Sequence, residues 1–128
     1  MSLTWDTRKL LRDVTTKAAR GVDEAADFLT EEIRDLISIQ GFPYQRRSKP
    51  GEPPRVDTTT LHRSIDHKVL DKAGVRQAVG SLSPPVSYAV DLEYGVGFFT
   101  AGEQRPFLRV SLARHGRTCG KMILGAMA

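Results

Sequence analysis

From Leu11 onward the chain places an apolar or small residue at every third or fourth position: Leu11, Val14, Ala18, Val22, Ala25, Leu29, Ile33 and Leu36. Side chains at that spacing share one face of a helix, so the pattern predicts a long N-terminal helix. Its end is expected near Gly41, with Pro43 beyond. Gly21 interrupts the pattern at a cost of about 1 kcal/mol relative to Ala. Asp23 just after it can cap a second helix, which allows a kink at that point.

The pattern then stops. Residues 41 to 55, Gly-Phe-Pro-Tyr-Gln-Arg-Arg-Ser-Lys-Pro-Gly-Glu-Pro-Pro-Arg, combine prolines and basic residues with almost nothing to bury, which predicts an extended, mobile surface loop. Asp57 or Thr58 can cap a short helix that presents Leu61 and Ile65 on one face. Two strands, over 67–70 and 75–82, are expected on either side of an Asp71-Lys72-Ala73-Gly74 turn, with Pro84-Pro85 stopping the second.

Residues 87–94 read two ways. Tyr88, Val90, Leu92 and Tyr94 alternate as in a strand, yet Gly95 sits where a helix C-cap would. Periodicity alone favours the strand. Pro106 can occupy the first turn of a last helix, with Leu108, Leu112, Cys119, Met122 and Ile123 on one side. Arg114, Arg117 and Lys121 fall opposite them. The fold class expected is α+β: a long N-terminal helix and a C-terminal helix packed on a small antiparallel sheet, in one domain of 128 residues, with the proline-rich loop projecting.

Charge sharpens this picture. The net charge is +4, but residues 1 to 40 hold six Lys/Arg against eight Asp/Glu, while residues 41 to 128 hold thirteen against seven. Within the first helix the order is basic (Arg8, Lys9, Arg12, Lys17, Arg20) and then acidic (Asp23, Glu24, Asp27, Glu31, Glu32, Asp35). That order opposes the helix dipole. Either a break at Gly21 resets the dipole, or the basic end of one subunit meets the acidic end of its neighbour. No apolar run is long enough to span a membrane, and the N-terminus lacks the basic and apolar stretches of a leader, so the expected location is the cytoplasm of the cell that makes the chain. Cys119 is the only cysteine, so no intrachain disulfide forms.

Candidate chemistry is sparse. His62, His67 and His115 with Asp57, Asp66 and Asp71 are the material for a metal or acid-base site, and none has a recognised ligand spacing. Ser64, Ser81 and Cys119 have no evident partner base, and Gly95-Val96-Gly97 lacks the rest of a phosphate-binding loop. No cofactor and no enzymatic activity are expected. Two basic clusters stand out: Arg46, Arg47, Lys49 and Arg55 in the loop, and Arg114, Arg117 and Lys121 on the last helix. Each suits either a partner contact or weak, salt-sensitive contact with DNA phosphates.

Three separated segments resemble the tail-completion or head-to-tail joining proteins of long-tailed bacteriophages. They are Pro-Gly-Glu-Pro-Pro-Arg-Val-Asp-Thr-Thr-Thr-Leu-His-Arg-Ser-Ile at 50–65, Tyr-Ala-Val-Asp-Leu-Glu-Tyr-Gly at 88–95, and Arg-Pro-Phe-Leu-Arg-Val-Ser-Leu at 105–112. Order and spacing match across nearly the whole chain; Thr59 departs, where the family usually places Gly. The resemblance implies a helix at 86–94 rather than a strand. It also implies a structural virion protein of the neck: a ring of copies, a hexamer favoured, around the DNA passage. Its partners would be other neck proteins, the tail tube or terminator, and the passing DNA. On this reading Leu61, Ile65, Phe107 and Leu108 build the core. Arg46, Arg47, Lys49, Arg55, Asp57, Tyr88, Glu93 and Arg109 make assembly contacts, with Glu93 and Arg109 pairing across subunits. Arg114, Arg117 and Lys121 are the candidates for facing DNA. Tail termination, head closure, a small basic DNA-binding protein and a nuclease or toxin-like enzyme are the alternatives.

Overall fold

A computed structural model describes residues 6–38, 60–95 and 104–128. The fold is α+β. Helix α1 (Thr7–Leu36) is followed by a short α2 (Thr60–Ser64), the hairpin strands β1 (Ile65–Val69) and β2 (Gln77–Ser81), the short α3 (Ala89–Tyr94) and the C-terminal α4 (Leu108–Met127).

Asp6 starts α1 as its N-cap, its side chain accepting from the Lys9 N–H at 3.0 Å. Ser38 ends it short of Gly41: both its N–H (3.2 Å) and its hydroxyl (2.6 Å) turn back to the Asp35 carbonyl. The kink allowed by the sequence is absent, and α1 runs unbroken through Gly21. Glycine stands there for a different reason. Helices α1 and α4 cross antiparallel so closely that a Cβ at Gly21 would sit 2.8 Å from the Ile123 Cα and 3.0 Å from the Ala126 Cβ. The missing side chain admits the neighbouring backbone.

Helix α1 is the spine of the described structure. One side meets α4 through Gly21, through Ala25, whose carbonyl lies 3.8 Å from the Cys119 Sγ, and through Phe28, whose ring meets His115 edge-on at 5.5 Å. Burial raises the Cys119 pKa, which keeps the group a thiol. Another side of α1 meets the hairpin. Asp23 accepts from the Gln77 amide at 2.9 Å, and the Arg34 guanidinium donates to the Ile65 carbonyl at 2.6 Å.

The strands pair antiparallel from Ile65 opposite Ser81 to Val69 opposite Gln77, and Gly74 (φ 76°) completes the expected turn. The core gathers where α1 ends: Ile33, Ile37, Ile65, Ala89 and Phe107 are buried, with Leu29, Leu36, Leu61, Val79, Leu92 and Leu108 packed against them. Ser64 locks the junction into place. Its hydroxyl donates to the Leu61 carbonyl and accepts from the Ser81 hydroxyl, both at 2.7 Å, and Ser81 in turn accepts from the Val86 N–H at 2.9 Å. Its carbonyl accepts from Leu82 and Ser83.

Three expectations are corrected. Residues 89–94 form a helix, closed by Gly95 at φ 68°, so the alternation of Tyr88, Val90, Leu92 and Tyr94 misreads an element in which only Ala89 and Glu93 are buried. Leu112, placed by its spacing on the apolar side of α4, is 58% exposed, because the side of α4 that meets α1 runs through Ser111 and His115 together with the expected Cys119 and Ile123. Pro106 precedes the N-cap Phe107 rather than entering the first turn.

Candidate functional site

The last two segments of the resemblance meet at one carboxylate. Glu93 projects from α3 to the start of α4 and is 2% exposed. Its Oε2 accepts from the backbone N–H groups of Phe107 (2.7 Å) and Leu108 (3.0 Å), and its Oε1 from the N–H of Arg109 (2.9 Å). The N-cap residue Phe107 has no side chain able to satisfy these orphan donors, so a glutamate from another element caps α4. The negative charge also sits at the positive end of the helix dipole.

Arg109 completes the arrangement. Its Nε donates to the Glu93 Oε1 at 3.0 Å, its Nη2 donates to the Glu93 carbonyl and to the Gln104 Oε1, and its guanidinium lies 4.9 Å from the centre of the Tyr94 ring. Glu93 and Arg109 therefore pair within one chain, which corrects the expected contact across subunits. Within the chain both carboxylate oxygens of Glu93 are occupied and its surface is covered. Arg109 and Tyr94 are each about half exposed, and Tyr88 and Val90 on the same short helix are also exposed. Of the expected contact residues that are described, Tyr88 and Arg109 are the two that solvent, and so another protein, can reach.

Burial opposes charge on Glu93, but the three backbone donors and the Arg109 side chain outweigh it and hold the pKa below the ordinary glutamate value. A lowered folded-state pKa stabilises the fold fully above the unfolded-state value, roughly 4.3. That contribution is lost as the pH falls from there through the depressed value. In Glu93→Gln, stability between neutral pH and pH ~3 should therefore fall less steeply than in the parent protein. Urea denaturation across that range measures both slopes; identical slopes would mean the carboxylate is not held this way.

On α4, Arg114, Arg117 and Lys121 are exposed and lie on one face at i, i+3 and i+7. None makes a hydrogen bond or ion pair with another described residue. The loop residues Arg46, Arg47, Lys49, Arg55 and Asp57 lie outside the described residues. The histidines are dispersed: His62 lies in α2, His67 bonds Gln77 at 2.6 Å, and His115 lies 3.3 Å from Glu32. Among the described residues no three His, Cys, Asp or Glu side chains gather as metal ligands would, and no helix is long and apolar enough to cross a membrane.

Two features escaped the sequence reading. The apolar face of α1 begins before anything covers it: Leu10, Leu11 and Val14 are exposed. At the other end of α1, a cleft of about 230 Å³ opens between the helices, lined by Glu32, Asp35, Leu36, Ser111, Arg114 and His115. The Ser111 hydroxyl is buried in it without a hydrogen-bond partner. The acidic residues were legible as a run, but the cleft arises from the crossing of α1 and α4. Comparison with models of known protein families, with curated proteins and with solved structures gives no match.

Proposed function

We propose that this chain is a structural protein of a long-tailed bacteriophage particle that completes the tail and joins it to the head. It would assemble as a ring in the neck, around the DNA passage, and meet other neck proteins and the tail tube or terminator. The observation that carries the reading is the convergence of the three resembling segments. Far apart in sequence, they supply Ser64 and Ile65, then Glu93, then Phe107 and Arg109, which together tie α2, α3 and the start of α4 around one core. The motif residues thus have a physical task, which is to fix the relative positions of short elements.

The work of such a protein is mechanical. It needs a unit that keeps its shape under load and surfaces that neighbours can hold. The basic stripe of Arg114, Arg117 and Lys121 fits weak phosphate contacts in a conduit, where tight binding would stop the DNA from sliding.

The decisive experiment inactivates this gene alone in a phage or prophage and images the particles by electron microscopy. Filled heads beside unjoined tails support joining or completion, abnormally long tails indicate a terminator, and heads that lose their DNA indicate head closure. Normal infectious particles overturn the neck reading. The same basic stripe favours one other reading, a small basic DNA-binding protein. Replacing Arg114, Arg117 and Lys121 together by Gln should leave thermal stability within about 1 kcal/mol, since the three side chains are exposed and unpaired among the described residues. If the stripe faces DNA, the triple variant should lose most of any salt-dependent binding to duplex DNA in a filter or gel-shift assay. Sequence-dependent binding by the parent protein would move the assignment to the DNA-binding reading.

A further inference from the structure

The two ends of α1 carry complementary surfaces that one chain cannot bring together. Helices α1 and α4 are antiparallel, with Gly21 against Ile123 and Ala126, and among the described residues no helix lies beside the first three turns of α1. There Leu10, Leu11 (66% exposed) and Val14 face solvent between Arg8, Lys9, Arg12 and Lys17, all exposed and without an ion pair among the described residues. At the other end is the cleft between α1 and α4. Its Asp35 carboxylate makes no ion pair among the described residues, Glu32 meets only the His115 ring, and Arg114 stands at the edge without a partner among them. The Ser111 hydroxyl, on a residue 1% exposed, is buried there unsatisfied, and the exposed Leu112 follows it in the chain. A buried polar atom without a partner is costly and marks a place where one is missing.

We propose that this cleft is the docking site for the first turns of α1 of a second copy. Arg8 or Arg12, one turn apart and flanking Leu11, enters between Glu32 and Asp35 and donates to the Ser111 hydroxyl, while Leu11 and its apolar neighbours cover Leu112. The charge distribution selects this arrangement over a two-fold one. Pairing the start of α1 with itself would set Arg8, Lys9, Arg12 and Lys17 against the same four cations, which Asp6 and Asp13 offset only by half. Pairing it with the acidic end sets these cations against Glu32 and Asp35, with Arg114 the one cationic side chain of the cleft lining that is always charged. Arg12 and Asp35 are about 35 Å apart along the helix, so the contact joins different patches on different copies and must propagate into a ring or a filament. The inference rests on the ring reading above only for the place of that ring in a virion; the contact itself is a property of the purified chain.

The test uses the full chain at low salt, with sedimentation and negative-stain electron microscopy as readouts. The parent protein should form a closed oligomer or short filaments. Arg8→Glu/Arg12→Glu and Glu32→Lys/Asp35→Lys should each weaken self-association about tenfold or more. Mixing the two variants should restore assembly, because the acidic α1 start of the first then fits the basic cleft of the second, and conversely. Asp35→Lys alone, at an exposed position, serves if the double cleft variant fails to fold. Ser111→Ala should leave the thermal stability of the isolated chain equal to or above that of the parent, since it removes an unsatisfied buried hydroxyl, and still weaken association. A parent protein that stays monomeric, variants that assemble like the parent, or a mixture that fails to assemble would overturn the contact. The two readings fail separately. A mixture that restores assembly beside a gene that is dispensable for head-to-tail joining retires the neck assignment alone; a gene required for joining beside charge variants that assemble normally retires the contact alone.

Discussion

Glu93→Ala should be among the most destabilising single substitutions in the described structure, costing about 3 to 5 kcal/mol, because it leaves three backbone donors at the start of α4 without an acceptor, at roughly 1 to 3 kcal/mol each where they are buried. The carboxylate accepts three backbone N–H groups and the Arg109 guanidinium while almost wholly buried. Its removal orphans the first donors of α4 and leaves Arg109 with hydrogen bonds to the residue 93 carbonyl and Gln104 and its contact with the Tyr94 ring. Against a total stability of typically 5 to 15 kcal/mol, a loss of that size should lower the midpoint of thermal unfolding by about 10 °C or more. Glu93→Gln keeps the shape but offers one acceptor oxygen where two are used, so it should fall between parent and Ala. Exposed carboxylates provide the control: Glu24→Ala should stay within about 0.5 kcal/mol. A Glu93→Ala loss no larger than that of Glu24→Ala would mean that the cap contributes nothing. Such a variant should also be defective in any assembly role, through its fold rather than through a lost intersubunit contact.

The second large effect is a reversal of sign between two glycines. In a helix, Gly→Ala normally stabilises by up to about 1 kcal/mol. Gly120 on α4 has no neighbouring atom within 4 Å of where a Cβ would stand, so Gly120→Ala should show that gain. Gly21→Ala should instead destabilise. Its Cβ would meet the Ile123 backbone, both Cα and carbonyl, at 2.8 and 3.0 Å, and a backbone cannot swing aside as a flexible side chain can. Overpacking of this kind costs roughly 1 to 3 kcal/mol, which exceeds the propensity gain, and the larger, β-branched Gly21→Val should cost more. Chemical denaturation of the variants decides it; a stabilised Gly21→Ala would mean that the helices do not cross this closely.

The same glycine shows where sequence reasoning stopped. Gly21 was read as a weak point because local propensity treats glycine only as a helix breaker. Its actual task, admitting another helix, depends on a residue about a hundred positions away and leaves no local trace. Residues 87–94 show the opposite case. Alternation suggested a strand, the resemblance implied a helix, and the helix is found: Ala89 and Glu93 are buried against the core, and the alternating residues part, Leu92 onto the core and Tyr88, Val90 and Tyr94 into solvent. Glu93 and Arg109 were identified as a pair from the sequence. Whether the pair closes within a chain or between chains depends on how α3 meets α4, and spacing along the chain does not encode that.

What the sequence by itself determined was whatever is local or periodic: the long amphipathic α1, the hairpin around its Asp71 to Gly74 turn, the C-terminal helix, the basic-then-acidic order along α1, and the basic stripe on α4. These follow from interactions between residues a few positions apart, for which periodicity and turn chemistry are sufficient signals. The tertiary structure alone decided which part of each pattern is covered. Leu11 and Leu29 occupy the same face of α1 by spacing, yet Leu11 is exposed and Leu29 packs on the core, because the described contacts of α1 with α4 begin near Gly21 and the core gathers at the far end of the helix. Burial is set by where a second element starts and stops in space, and the periodicity of the first element carries no information about that.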